Sequence, residues 1–166
     1  FTNKDILAHI NECYQQQDCW MLTGQYRYKD GRYGKAKPCI SQQELEQWRK
    51  DPPLSHSNSF RAGLYQAIAQ ADETYECCKD DAGQWLKGAP VTAMLICLGE
   101  MAGIAKLAFT EEVWIQRHVN GEEPQGWLTA AQRKNNFITL AAKRPFAKVQ
   151  AYLQPVQYSD IKTVTA

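Results

Sequence analysis

The sequence predicts a mainly α protein: a single-domain helical bundle of about five to seven helices, with a small β-hairpin insertion near residues 25–35 and disulfide stabilisation in its N-terminal two-thirds. Three observations predict it. Apolar residues recur at helical spacing through most segments long enough to show a period. Residues 25–35 alone switch to two-residue alternation, around Asp30-Gly31. Cys13, Cys19, Cys39, Cys77, Cys78 and Cys97 form an even set confined to the first 97 of 166 residues, the pattern of a disulfide framework. Composition agrees with one globular domain, assigned to residues 1–155, with 156–166 as a C-terminal tail or short strand. With 44% hydrophobic and 11% aromatic residues and a net charge of +1, the chain is neither disordered nor collagen-like.

Each element follows from a local signal. Ile6, Leu7, Ile10 and Tyr14 recur on one helical face, predicting a first helix over 3–16 capped by Thr2. Residues 25–35, QYRYKDGRYGK, form the hairpin, with Tyr28 facing Tyr33 across the strands. Ser41 and Glu44 give a capping-box pattern for a short helix to about Lys50, stopped by Asp51-Pro52-Pro53. Phe60, Leu64, Ile68, Ala71, Tyr75 and Cys78 form a stripe predicting a longer helix over 60–78. The apolar stretch 90–109 reads as a buried central helix; Glu100 and Lys106 argue against a membrane span, and Gly99 and Gly103 permit close helix packing. Thr110 with Glu111 and Glu112 opens another helix towards Asn120-Gly121, and Thr129 opens one more through about Arg144. Pro145 then restarts a turn to Leu153.

Charge is segregated. Residues 27–37 hold Arg27, Lys29, Arg32, Lys35 and Lys37 against Asp30; residues 38–123 hold 7 basic and 13 acidic side chains; residues 124–159 hold five basic ones and no acid. The neutral total therefore hides blocks of +4, −6 and +5, a distribution that serves either a partner or the fold itself. In the first block cations interleave with tyrosines. Tyr26, Arg27, Tyr28, Lys29, Arg32, Tyr33 and Lys35 are the candidate binding residues, since tyrosine and arginine are favoured at protein interfaces. They also match what a single-stranded nucleic acid would need, without any motif that makes that reading specific.

Chemistry is harder to find. No nucleophile elbow, phosphate-binding loop, dinucleotide fingerprint or HExxH pattern occurs. The three histidines, His9, His56 and His118, have no named partner, so each reads as a surface residue rather than a base. His9, Cys13, Cys19 and Cys39 could make a tetrahedral zinc set, but their spacing matches no structural zinc site, so neither metal nor cofactor is expected. Glu100, a carboxyl within an apolar helix, is the one weak catalytic candidate, as a general acid on a glycosidic bond. The chain opens at Phe1, which fits either signal-peptide removal or a trimmed terminus. With the cysteines it predicts an extracytoplasmic, periplasmic or secreted, location. The functional expectation is an exported module that binds a protein partner, as an inhibitor or immunity-type protein, rather than an enzyme. The alternatives are a small cell-wall or glycan hydrolase using Glu100, and an accessory single-stranded nucleic-acid-binding protein.

Overall fold

In the computed structural model, residues 4–54, 57–117 and 129–150 are described. The axis is a strand, Met21–Tyr28 (β1), buried from Met21 through Tyr26, as a central strand covered on both faces must be. On one side it pairs antiparallel with Asn58–Phe60 (β2), Met21 opposite Phe60. On the other it pairs parallel with Leu107–Arg117 (β3), Met21 opposite Leu107. The order is β2-β1-β3. Parallel strands cannot be joined by a tight turn, so the chain between β1 and β3 must cross over. That crossover carries a short helix, Gln42–Gln47, then β2, and then the helices Ala62–Ala71 and Pro90–Ala102. We call these helices α2, α3 and α4; α1 (Ile6–Gln16) precedes β1 and α5 (Ala130–Ala142) follows β3. Among the described residues the fold is five α-helices about a three-stranded mixed sheet, which corrects the expected helical bundle with a hairpin insertion.

β3 and the last residue of β2 are built from residues that read as helix. Phe60 heads the expected 60–78 stripe but ends β2, and α3 begins only at Ala62. It stops at Ala71 because the Asp72 carboxylate accepts from Glu76 N at 2.9 Å and Cys77 N at 2.8 Å, drawing the chain into the 3₁₀ turn Glu76–Cys78. The expected 90–109 helix ends at Ala102, where Gly103 takes φ +67°, a conformation that L side chains resist. β3 then begins at Leu107. Thr110 does not open a helix. Its Oγ1 accepts from Glu112 N at 3.2 Å, but inside a strand irregularity: Thr23 pairs with Phe109 whereas Gln25 pairs with Val113. An N-cap-type bond thus closes a bulge, and Val113 and Ile115 continue as strand.

The turn after β1 is also shifted from expectation. Three residues, Lys29 to Gly31, separate the bonded Tyr28 N and Arg32 O, and the only bridge beyond them joins Arg27 to Tyr33. Tyr28 is therefore not opposite Tyr33. Local signals survive where packing does not compete. Ser41 Oγ accepts from Glu44 N at 3.1 Å, starting α2, and a complete capping box between Thr129 and Gln132 starts α5. The expected tail beyond 155, the Asn120-Gly121 cap, His56 and His118 lie outside the described residues.

The core surrounds α4, whose residues Leu95–Ala102 are all buried. It packs on α3, on the Glu76–Cys78 turn, on α2 and on β1. Gly99 lies so near Trp48 that a Cβ there would stand 2.4 Å from the indole; that close approach, rather than a helix–helix seam, is the use of this glycine. A second cluster, Ile6, Cys13, Cys19, Leu22 and Trp114, seals α1 to the sheet. No described helix is long and apolar enough to cross a membrane. The expected disulfide framework is absent: all six cysteines are free. Cys77 and Cys78 bring their sulfurs to 3.6 Å, far beyond the about 2 Å of a disulfide. Five of the six are buried, acting as small apolar side chains in the two cores.

Candidate binding surfaces

The predicted site residues lie together on the 26–37 segment but do not all face solvent. Tyr26 is 7% exposed, its ring edge-on to Tyr28 with centroids 5.4 Å apart and its hydroxyl 3.4 Å from that of Tyr28. Tyr28 is half-buried and lies 5.2 Å beneath the Arg32 guanidinium. Arg32 is itself engaged, donating from Nε to Asp30 Oδ2 at 2.8 Å and pairing from its terminal nitrogen at 2.7 Å. Hydrogen bonds from the Arg32 side chain and backbone hold the Asp30 carboxyl below its ordinary pKa. Arg27, Lys29, Lys35 and Lys37 are exposed, and no ion pair engages them among the described residues. Tyr33, 61% exposed, is the one tyrosine of the segment that presents its ring. Beside it opens a groove of about 470 Å³ lined by Tyr33, Lys37, Pro38, Phe109 and Glu111.

Glu100 has a different occupation. Its two oxygens accept from Arg49 Nε at 2.6 Å and Nη2 at 2.7 Å, and Oε2 also accepts from Phe146 N at 3.0 Å. Arg49 completes the set by donating from Nη1 to Leu140 O at 3.0 Å. Both partners are buried. This four-point clip ties the turn after α2 to α4, to the end of α5 and to the segment that follows. A carboxylate so held is an acceptor inside the fold, and the geometry supplies no proton-donating role towards a substrate.

The other polar candidates divide similarly. His9 Nε2 lies 3.3 Å from Thr110 Oγ1 and 3.6 Å from Cys13 Sγ, a contact between α1 and the β3 bulge; no group of His, Cys, Asp or Glu suited to a metal occurs among the described residues. Cys77 and Cys78 of the 3₁₀ turn cluster with Cys97 of α4. There the contacts with Cys78 and Cys97 lower the Cys77 pKa, and the same contacts with burial raise those of Cys78 and Cys97. Cys77 is 5% exposed and the other two are fully buried, which keeps them from a macromolecular substrate.

One exposed feature escapes the sequence pattern. Phe60, Tyr65, Tyr75 and Trp85 form a row, with successive ring centroids 6.5, 6.3 and 6.4 Å apart and planes inclined by 24°, 28° and 37°. These residues come from β2, α3, the 3₁₀ turn's N-cap and the loop beyond it, so no single periodicity marks them. No family of known proteins matches the chain, and neither a curated protein nor a solved structure does.

Proposed function

We propose that the protein is a binding module that engages an acidic protein surface through the 27–37 segment. The single observation that carries this reading is the exposure of Arg27, Lys29, Lys35 and Lys37, without acidic partners among the described residues, around the outward-facing Tyr33 and its groove. An aromatic ring flanked by cations above a partly apolar groove has the make-up of an interface hot spot. Four cations on one segment would also speed encounter with an acidic partner. The nucleic-acid alternative is weakened by the placement of the tyrosines: successive bases need successive free rings, whereas Tyr26 is buried edge-on against Tyr28 and Tyr28 lies beneath Arg32. The hydrolase alternative is weakened by the engagement of Glu100. Free thiols leave the compartment open, because the case for an oxidising environment rested on disulfides.

Two variants test this reading in extracts of the source cells. Tyr33→Ala should weaken capture of the partner by about 2 kcal/mol, roughly thirtyfold. Arg27→Ala with Lys35→Ala and Lys37→Ala should weaken it further and flatten its salt dependence. All four side chains are exposed, so the fold should be unaffected. A captured partner that is indifferent to both variants would place the interface elsewhere.

A further inference from the structure

The row of rings does not end in open solvent. Trp85 is 54% exposed and forms one wall of a cleft of about 590 Å³, whose remaining lining among the described residues is Asp80, Gln84, Lys87, Gln132, Asn135 and Asn136. That volume is in the range of ligand-binding clefts, and the lining is unusual for its four carboxamides. We propose that this cleft, with the aromatic row leading into it, binds a neutral oligosaccharide chain.

Three features carry the proposal. The first is rigidity. Lys79 and Trp85 are bridged across a tight turn, closed by Asp80 N to Gln84 O at 2.7 Å and Gly83 N to Asp80 O at 3.0 Å. Asp80 Oδ1 also accepts from Ala82 N and Gln84 N, each at 2.9 Å. The opposite wall, α5, is pinned to the same loop by Asn136 Nδ2 donating to Lys87 O at 2.8 Å. A cleft held on both sides loses little freedom when it binds.

The second is chemistry. A pyranose presents C–H groups on its faces and hydroxyls around its edge. An indole face, negative at its centre, attracts the former, while a carboxamide both donates to and accepts from the latter. Gln132 spends Oε1 on Thr129 N and Asn136 spends Nδ2 on Lys87 O. This leaves Gln132 Nε2 and Asn136 Oδ1 without a hydrogen bond among the described residues, beside Gln84 and Asn135. Tyr75, meanwhile, adopts φ 55° and ψ 41°, a left-handed backbone costing about 1 kcal/mol for such a residue. That conformation places its ring between Tyr65 and Trp85, with its hydroxyl 3.1 Å from that of Tyr65.

The third is charge. Residues 72–87 carry Asp72, Glu73, Glu76, Asp80 and Asp81 against Lys79 and Lys87, and Lys79 is paired with Glu76 at 2.9 Å. A polyanion stacking on the same rings would meet this acidic surround, whereas a neutral chain would not. The cationic 27–37 segment contributes no residue to the cleft, so this site does not depend on the function proposed above.

The test is titration of the full chain with neutral oligosaccharides of two and six units from the β-glucan, xylan, chitin and α-glucan series, followed by tryptophan fluorescence and calorimetry. At least one series should bind at millimolar or lower concentration, with little change between low and high salt. The six-unit chain should bind more tightly than the two-unit one. Trp85→Ala should weaken both by about tenfold or more, and Tyr65→Ala should remove only the advantage of length. Both positions are exposed or partly so, and circular dichroism would show that the variants fold. The loop variants of the preceding section should bind the saccharide as the parent does. No binding in any series, binding that survives Trp85→Ala, or preference for a proline-rich peptide or an anionic polymer over every neutral chain would overturn the proposal.

Discussion

Arg49→Ala should lower the unfolding free energy by about 3–5 kcal/mol, because it strands the Glu100 carboxylate in the centre of the fold. Both charges are almost wholly buried, with side chains 5% and 7% exposed, and no other cation engages Glu100 among the described residues. The loss would be a large share of the about 5–15 kcal/mol that holds a domain of ordinary stability. Glu100→Gln should do less harm. It keeps an acceptor for Arg49 and Phe146 N, yet leaves the guanidinium charge without its counter-charge.

The informative comparison is the paired change Arg49→Met with Glu100→Leu. Removing both charges removes both desolvation penalties, and such swaps are often neutral or stabilising. Here the gain is reduced because Phe146 N loses its partner, at about 1–3 kcal/mol for a buried group left unsatisfied, and Leu140 O keeps only the longer bond from Lys143 N at 3.3 Å. The double variant should therefore be more stable than Arg49→Ala but should not exceed the parent. Urea unfolding of the four proteins measures this order. A double variant as unstable as Arg49→Ala would mean that the clip acts through its backbone contacts, not its charges.

The second large effect belongs to the sheet. A Cβ on Gly24 would lie 2.3 to 2.6 Å from three atoms of the Trp114 indole, and Trp114 is 2% exposed, so the ring has nowhere to retreat. Gly24→Ala should cost about 3 kcal/mol by overpacking. Gly24 sits where the β1–β3 register shifts, between Thr23–Phe109 and Gln25–Val113; the bulge on β3 swings Trp114 across the bare backbone of β1. Trp114→Leu loses buried ring area by itself, about 3 kcal/mol or less. Combined with Gly24→Ala it should be less harmful than the sum of the two, since the clash that makes the first costly is gone. Strict additivity would show that the ring and Gly24 do not touch.

What the sequence revealed depended on the range of the interaction. The starts of α2 and α5 are set by bonds three residues long, Ser41 to Glu44 and Thr129 to Gln132, and these were legible. β3 was not, because Thr110 makes the bond of a helix cap while the register of β1 decides that a strand follows. Phe60 carried helical spacing but is claimed by Met21 across the sheet. The cysteine count suggested disulfides, yet pairing needs geometry that spacing does not contain, and burial in two separate cores overrode it. Glu100 could be placed on an apolar helix, though its partner stands 51 residues away. For the aromatic row, a signal existed in Tyr65, Tyr75 and Trp85 flanking the Asp80–Gly83 turn; what hid it was the left-handed backbone of Tyr75.

The expected hairpin is the end of β1 with a shifted turn, and although Arg27, Lys29, Lys35 and Lys37 are exposed, the tyrosines among them separate into one outward ring and two inward ones. That division shapes the central claim, that the 27–37 segment is the contact face for an acidic protein. The most direct measurement replaces Tyr33 with a photo-crosslinking residue in the source cells and, in parallel, replaces Ile138, an exposed residue of α5. The claim predicts a discrete crosslink from position 33 to an acidic protein, weakened by added salt, and no such product from position 138. Crosslinks equal at both positions, or a discrete product from 138 alone, would contradict it.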